Sequence, residues 1–374
     1  MYNNNLNNNS SDDSQKDIQV GMINNQQPQP KDTVSDIQWV IQNNNYQLSV
    51  ACWNGEVIVY NLGSGNNNNT ELIFQYSINL PEPILTHVWN GTNQLFMGCA
   101  NGDIYNFQLP NNVNFSNFNP NQNVQKMGAH QGPVSKLIYI SQKNSLLSMG
   151  YDGYIRIWGE IKREAFLQHP IISGDYKIQN QKGDIFLATV DKILVQSLPD
   201  LFQNPQNAKW TKPSLTDNYN SKLTFLSVCE TENYFIVGSD DGRAQIFSYS
   251  RQVNNLNTTI SNHITFKVCQ IKENKSTYFY QTNCAQFNPQ KFSQLAVGGG
   301  EGVISLFQFL TKDRIKTFEF NKQCVSALKI SDDGKLLAYA LGYDWGQGIH
   351  GINKYNPPKV CVHIFQQNEM SPQN

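Results

Sequence analysis

Gly128-Ala129-His130-Gln131-Gly132-Pro133-Val134, continued by Met149-Gly150-Tyr151-Asp152-Gly153-Tyr154-Ile155-Arg156-Ile157-Trp158, is the stretch whose reading decides the fold. Gly132-Pro133 punctuates the first part as a turn. Asp152-Gly153 is a two-residue hairpin signal between strand-like runs. Apolar runs near Leu137–Ile140 and Leu146–Ser148 lie between the two turns, and Ile155, Ile157 and Trp158 follow on a third strand. A unit of this kind should be repeated along the chain.

It is repeated. The pattern returns at Ala51-Cys52-Trp53-Asn54-Gly55-Glu56-Val57-Ile58-Val59-Tyr60 and at Gly98-Cys99-Ala100-Asn101-Gly102-Asp103-Ile104-Tyr105. A weak copy is Ala188-Thr189-Val190-Asp191-Lys192-Ile193-Leu194-Val195. Clearer ones are Val237-Gly238-Ser239-Asp240-Asp241-Gly242-Arg243-Ala244-Gln245-Ile246-Phe247 and Gly298-Gly299-Gly300-Glu301-Gly302-Val303-Ile304-Ser305-Leu306-Phe307. The last, divergent copy is Tyr339-Ala340-Leu341-Gly342-Tyr343-Asp344-Trp345, completed by Val360-Cys361-Val362-His363-Ile364-Phe365. The turn residues Asn54, Asn101, Asp152, Asp191, Asp241, Glu301 and Asp344 fall roughly 40 to 60 residues apart, which is a propeller period. Helical periodicity is nowhere sustained.

His130, Ser148, Asp152 and Trp158 have the spacing of the WD-repeat motif and resemble its tetrad, in which these residue types hydrogen-bond within one blade. The resemblance makes the unit a four-stranded blade. The expected fold is all-β, a seven-bladed WD-repeat β-propeller over residues 15–366, and ring closure removes the exposed sheet edges. Residues 1–14, nearly all Asn, Ser and Asp, are expected to be a disordered tail, and 367–374 a flexible one. In Lys16-Asp17-Ile18-Gln19-Val20, Ile18 and Val20 alternate as in a short strand. Lying upstream of the first blade, this strand is expected to close the last.

Composition bounds the function classes. Hydrophobic residues make up 39% and aromatics 11% of the 374, ample for a packed core. A net charge of −1 excludes a chain built mainly to coat nucleic acid; an RNA contact is expected only as a weak, salt-sensitive one from scattered Lys and Arg. No apolar run approaches the roughly 18 residues of a membrane-spanning helix, and Met1-Tyr2-Asn3-Asn4-Asn5 has no secretion-signal character. Seven scattered cysteines without a Cys-x-x-Cys pair argue against a disulfide scaffold or zinc site. An intracellular protein without membrane insertion is expected.

Catalytic readings fare poorly. His130, Ser148 and Asp152 invite a hydrolase triad, but the blade already uses them and no Gly-x-Ser-x-Gly elbow occurs. Gly298–Gly302 resembles a phosphate loop, yet no Gly-Lys-Ser/Thr or helix follows. His87, His169, His263, His350 and His363 lack metal-ligand spacing. No catalytic residue, metal, cofactor or small-molecule substrate is assigned. Binding is the better prospect, because the hairpin turns of a propeller line its top face. There the chain offers Trp53, Tyr151, Asp240, Arg243 and Trp345, and exposed aromatics with Arg are usual hot-spot anchors. Alternatively the Trp and Tyr pack between blades, and Arg243 pairs internally with Asp240 or Asp241 rather than with a partner's acid.

The run Leu336-Leu337-Ala338-Tyr339-Ala340-Leu341-Gly342-Tyr343-Asp344-Trp345-Gly346-Gln347-Gly348, with Tyr355-Asn356-Pro357 after it, is similar to the final blade of the WD-repeat mRNA export factors of the nuclear pore, the Rae/Gle type. Lys16–Val20 resembles their first strand, Ile264-Thr265-Phe266-Lys267-Val268-Cys269 a family segment, and Gly238–Arg243 their Gly-Ser-x-x-Gly-Arg turn. The likeness runs from about residue 15 to about 365. It implies a non-enzymatic adaptor in the nucleus and at the nuclear envelope, shuttling to the cytoplasm, whose top face clamps the GLEBS motif of an FG-repeat nucleoporin. By the resemblance, an acid of that motif meets Arg243, with Tyr151, Phe266, Lys267, Trp53 and Trp345 around it. Departures are Tyr151 for a Trp, Phe307-Gln308-Phe309 for Trp-Asp-Lys, and Asp191-Lys192 for Asp-Gly. The sister family, the Bub-type mitotic checkpoint propellers, shares the Phe-Lys segment and the Gly-Arg turn and binds similar motifs on checkpoint kinases; the Tyr-Asp-Trp and Tyr-Asn-Pro signature favours export.

Overall fold

Seven antiparallel sheets stand in a ring in the computed structural model, one for each turn signal. The structure describes residues 18–19, 28–42, 45–64, 70–91, 93–160, 162–179, 182–207, 210, 221–251, 258–273, 275–321, 323–343, 345, 348, 356–366 and 369. Blade 3, from which the reading began, is the simplest. Val134–Ile140 is its inner strand, Ser145–Gly150 and Tyr154–Trp158 follow, and Arg163–Phe166 is the outer strand. The second strand is buried throughout, which is what Leu146, Leu147 and Met149 require of a sheet packed on both faces. The other blades begin at Val34, Ile84, Ile171, Leu223, Thr282 and Cys324.

Burial explains the ring. Each blade is apolar on both faces, and one hydrophobic cluster fills each gap between neighbouring blades. The smallest, between blades 2 and 3, holds Phe96, Ile104, Val134, Leu137 and Leu146. Side chains also stitch inner strand to inner strand around the central channel. Asp36 Oδ2 accepts from the His87 amide at 2.9 Å, Asp175 Oδ2 from the Val228 amide at 2.8 Å and Gln286 Oε1 from the Ile330 amide at 2.7 Å. The Asp36 and Asp175 carboxylates and the Gln286 amide line a cavity of about 590 Å³ with Lys136 and Lys329, which offset the carboxylate charge across the channel.

The seam between blades 7 and 1 closes by chain crossing. Ile18 and Gln19 pair antiparallel with Val362 and Cys361, so the N-terminal segment supplies the outer strand of blade 7 beyond Lys359–Ile364. Trp39 Nε1 donates to the Lys329 carbonyl at 3.0 Å and the Tyr46 hydroxyl to Asp333 at 2.6 Å across the same seam. Blade 4, weak in sequence, has three described strands, and a short helix, Leu198–Gln203, follows its third.

The tail at 1–14, together with Asp344 and Tyr355, lies outside the described residues. Glu369 departs from the reading of 367–374 as a free tail. It is buried, and its carboxylate is held by His363 at 2.8 Å and Lys316 at 2.7 Å. The reason is packing: Lys316 of blade 6 and His363 of blade 7 converge on one buried carboxylate. Another feature absent from the repeat reading is a two-stranded hairpin, Gln270–Glu273 with Ser276–Phe279, inserted between blades 5 and 6.

Candidate partner-binding face

The tetrad of blade 3 is assembled as a closed network. His130 Nδ1 lies 2.8 Å from Asp152 Oδ1, and its Nε2 lies 2.7 Å from Ser148 Oγ. Trp158 Nε1 donates to the same oxygen at 2.9 Å. Burial alone would raise the Asp152 pKa, but the Gln131 amide, Arg156 and His130 outweigh it and hold the carboxyl at about 2. His130 is pushed below its ordinary value, chiefly by desolvation. Ser148 is fully buried and its hydroxyl is held between His130 Nε2 and the Trp158 donor, so no substrate carbonyl reaches it.

A second chain of the same residue types joins blades 1 and 2 and was not read from the sequence. His87 Nδ1 faces Asp36 at 3.3 Å, its Nε2 lies 2.8 Å from Ser49 Oγ, and Trp89 donates to Ser49 at 2.9 Å. In the sequence His87 shows no metal-ligand spacing and no other role. The usable signal was His87 and Trp89 two apart on one strand, hence on one face. Ser49 does not stand at the tetrad's distance from its own turn, so spacing alone could not find it.

The structure places the predicted binding residues on the turns of blades 1, 3, 5 and 7, of which only 7 and 1 are neighbours. Trp53, Tyr151 and Trp345 are 47%, 46% and 51% exposed, so none packs between blades. Trp53 and Trp345 flank one anchor: the Trp53 amide donates to the Thr33 carbonyl at 3.0 Å, and Thr33 Oγ1 donates to the Tyr343 carbonyl at 3.0 Å. Trp345 has φ +59°, a conformation that bulky residues seldom adopt, and its ring lies 5.5 Å from that of Tyr343. Strain of this kind holds an indole outward at the cost of backbone energy.

Arg243 stands half exposed on the turn of blade 5, with Asp241 Oδ2 3.2 Å from its Nε. Of the two internal partners weighed, Asp241 is the one it meets; Asp240 instead accepts from the Lys222 amide at 3.0 Å. Arg243 is directly opposite Lys267 in the strand register, so both cations stand at one end of the blade. Phe266 is placed differently from the rest. Its ring stacks on Phe307 at 4.7 Å and packs against the core between blades 5 and 6, which leaves it a wall of the site with only part of its surface open.

Blade 6 carries the most altered turn. In blade 3, His130 and Asp152 crowd the last residue of the second strand, Gly150; in blade 6, Cys269 and Glu301 crowd Gly299 in the same way. A thiol and a carboxyl thus replace imidazole and carboxylate. Glu301 is buried beside the weakly donating Cys269 thiol, and burial pushes its pKa up to about 7.

The family model for the WD domain, G-beta repeat, matches residues 121–159, the stretch that holds the tetrad. The chain is a seven-bladed propeller that carries a WD repeat at residues 121–159. Full-length relatives share little identity but most of their length. The WD40 repeat protein poxJ of Penicillium oxalicum is 19% identical, over 92% of this chain and 94% of its own. The mRNA export factor rae-1 of Caenorhabditis elegans is 22% identical, over 89% and 86%. The spindle assembly checkpoint protein bub3 of Schizosaccharomyces pombe is 23% identical, over 79% and 83%. The propeller therefore resembles both the export and the checkpoint proteins along most of its length.

Proposed function

We propose that this propeller is a non-enzymatic docking platform in mRNA export at the nuclear pore, binding a GLEBS-type motif of an FG nucleoporin on its top face. The observation that carries the reading is the pairing on one face of two kinds of anchor. Arg243 and Lys267 supply positive charge on blade 5, and Trp53, Tyr151 and Trp345 supply exposed aromatic surface on blades 1, 3 and 7. An extended segment carrying an acid and apolar side chains satisfies both. Phe266, stacked on Phe307, forms the floor beside the cations. The protein would then reside in the nucleus and at the nuclear envelope, with passage to the cytoplasm, as the likeness to export factors suggests.

Arg243→Glu tests this by calorimetry against a synthetic GLEBS peptide. Reversing a charge that meets an acid should weaken binding about 30-fold or more. The thermal melt should hardly change, because the side chain is half exposed. A collapsed melt would instead make Arg243 structural, and unchanged binding would remove the acid-reading role. The likeness to bub3 supports a second reading, a checkpoint propeller binding kinases. Capture of kinetochore kinases rather than pore proteins from extracts would favour it. Any RNA contact is proposed to be weak and to vanish with added salt.

A further inference from the structure

The hairpin between blades 5 and 6 has no role in the core. All four residues of Ser276–Phe279 are exposed, and Tyr278 and Phe279 show 50% and 60% of their surface. In the register Tyr278 opposes Ile271 and Phe279 opposes Gln270, so the two rings stand on opposite faces of the ribbon. The sheet has only two strands, and each therefore keeps one edge of unpaired backbone groups. A two-stranded ribbon exposed on both faces is marginal by itself.

Its base, however, is fixed to the turn that carries Arg243. The amides of Val268 and Cys269 donate to the Gly242 carbonyl at 3.0 and 3.1 Å, and the Tyr280 amide closes the base on the Cys269 carbonyl at 2.9 Å. Gly242, at φ +78°, sits so close to the carbonyls of Cys269 and Tyr280 that a β-carbon there would collide with both. The ribbon is thus held beside Arg243 and Lys267, and it adds Lys272 and Lys275 to their charge.

We infer that the Gln270–Phe279 hairpin is a strand-addition site, whose free edge pairs with an extended acidic segment of the docked partner. The inference rests on the docking reading above. The ribbon and its base carry four cations against the acids Asp241 and Glu273, an excess that fits an acidic segment; the open edge offers main-chain hydrogen bonds, and the two rings clamp alternate side chains from either face.

The test combines calorimetry with amide hydrogen exchange, using the GLEBS peptide and the full chain. Bound peptide should slow exchange within residues 270–279 at least tenfold. Tyr278→Ser/Phe279→Ser should weaken binding about tenfold at an unchanged melt; Tyr278→Ser alone serves if the double variant fails to fold. Peptide that binds wild type and variant equally, with hairpin exchange unaltered, overturns the strand-addition site and leaves the docking face intact. Weaker binding without slowed exchange also overturns it, because the rings would then act without backbone pairing. A folded wild-type protein that ignores the peptide overturns both readings. A dimer in sedimentation that is lost in the double variant would assign the edge to a second copy and overturn the inference.

Discussion

At the scale of the residue, Glu301 is the least comfortable side chain on the top face. Where blade 3 surrounds a carboxylate with four donors, from His130, Gln131, Tyr154 and Arg156, blade 6 gives its carboxyl the weak Cys269 thiol. Its folded-state pKa of about 7 exceeds the ordinary 4.5. The folded protein therefore holds this proton more tightly than the unfolded chain, and stability falls as pH rises from about 4.5 through about 7. The whole effect is on the order of 3 kcal/mol. Glu301→Gln should match wild type near the acid end of that window and exceed it above the window. Melting curves for the two proteins across the window test this; parallel curves would mean that the carboxyl is not held protonated. None of this was legible in the sequence, where Gly300-Glu301-Gly302 reads as an ordinary polar turn. Arg243, in contrast, was legible as a surface cation, because a long charged side chain on a tight turn has nowhere apolar to go.

At the scale of the element, Glu369 is the described residue of the segment 367–374 that the sequence reads as a flexible tail, and it is buried. Gln366 and its neighbours have no strand pattern, yet Glu369 anchors this C-terminal strap through His363, Lys316 and the Gln366 amide. Burial would raise this carboxyl, and the three partners instead bring it to about 2. A depressed carboxyl contributes stability above pH 4.5 that is lost as pH falls towards 2. Glu369→Gln keeps the shape and removes the charge. It should cost about 1–3 kcal/mol at neutral pH, less towards acid, because Lys316 and His363 lose their acceptor. Denaturant midpoints at neutral and acid pH check it, and an equal loss at both would exclude the ion pairs as the cause. The hairpin is the other unread element: the repeat pattern does not mark it, and the exposure of Tyr278 and Phe279 depends on the insertion standing outside every inter-blade gap.

At the scale of the whole molecule, closure is the weak point of a ring. Seven clusters fill the gaps between blades, but the seam between blades 7 and 1 joins distant parts of the chain. Among the described residues the outer edge of Lys359–Ile364 pairs with Ile18 and Gln19 alone, its other edge lying on Leu336–Gly342, and Trp39 and Tyr46 back the seam. Deleting residues 1–20 leaves that strand as an open edge. We expect the melting temperature to fall by roughly 2–8 °C, with a concentration-dependent tendency to associate. An unchanged melt would show that the side-chain stitches and cluster suffice. The enclosed channel carries less promise as a site, since Asp36, Asp175 and Gln286 already accept from neighbouring inner strands.

The sequence by itself determined the repeat, the tetrad of blade 3 and the closing strand. Turn chemistry at Asn54, Asn101, Asp152 and Asp241, and the burial of alternating apolar runs, are local and repeat with the chain. Only the tertiary structure decided the chain of Asp36, His87, Ser49 and Trp89, the stacking of Phe266 on Phe307, the strap at Glu369 and the exposure of Tyr278 and Phe279. Each depends on which blade lies beside which, and on what space is left between them. Such contacts join residues far apart in sequence, so no local period records them.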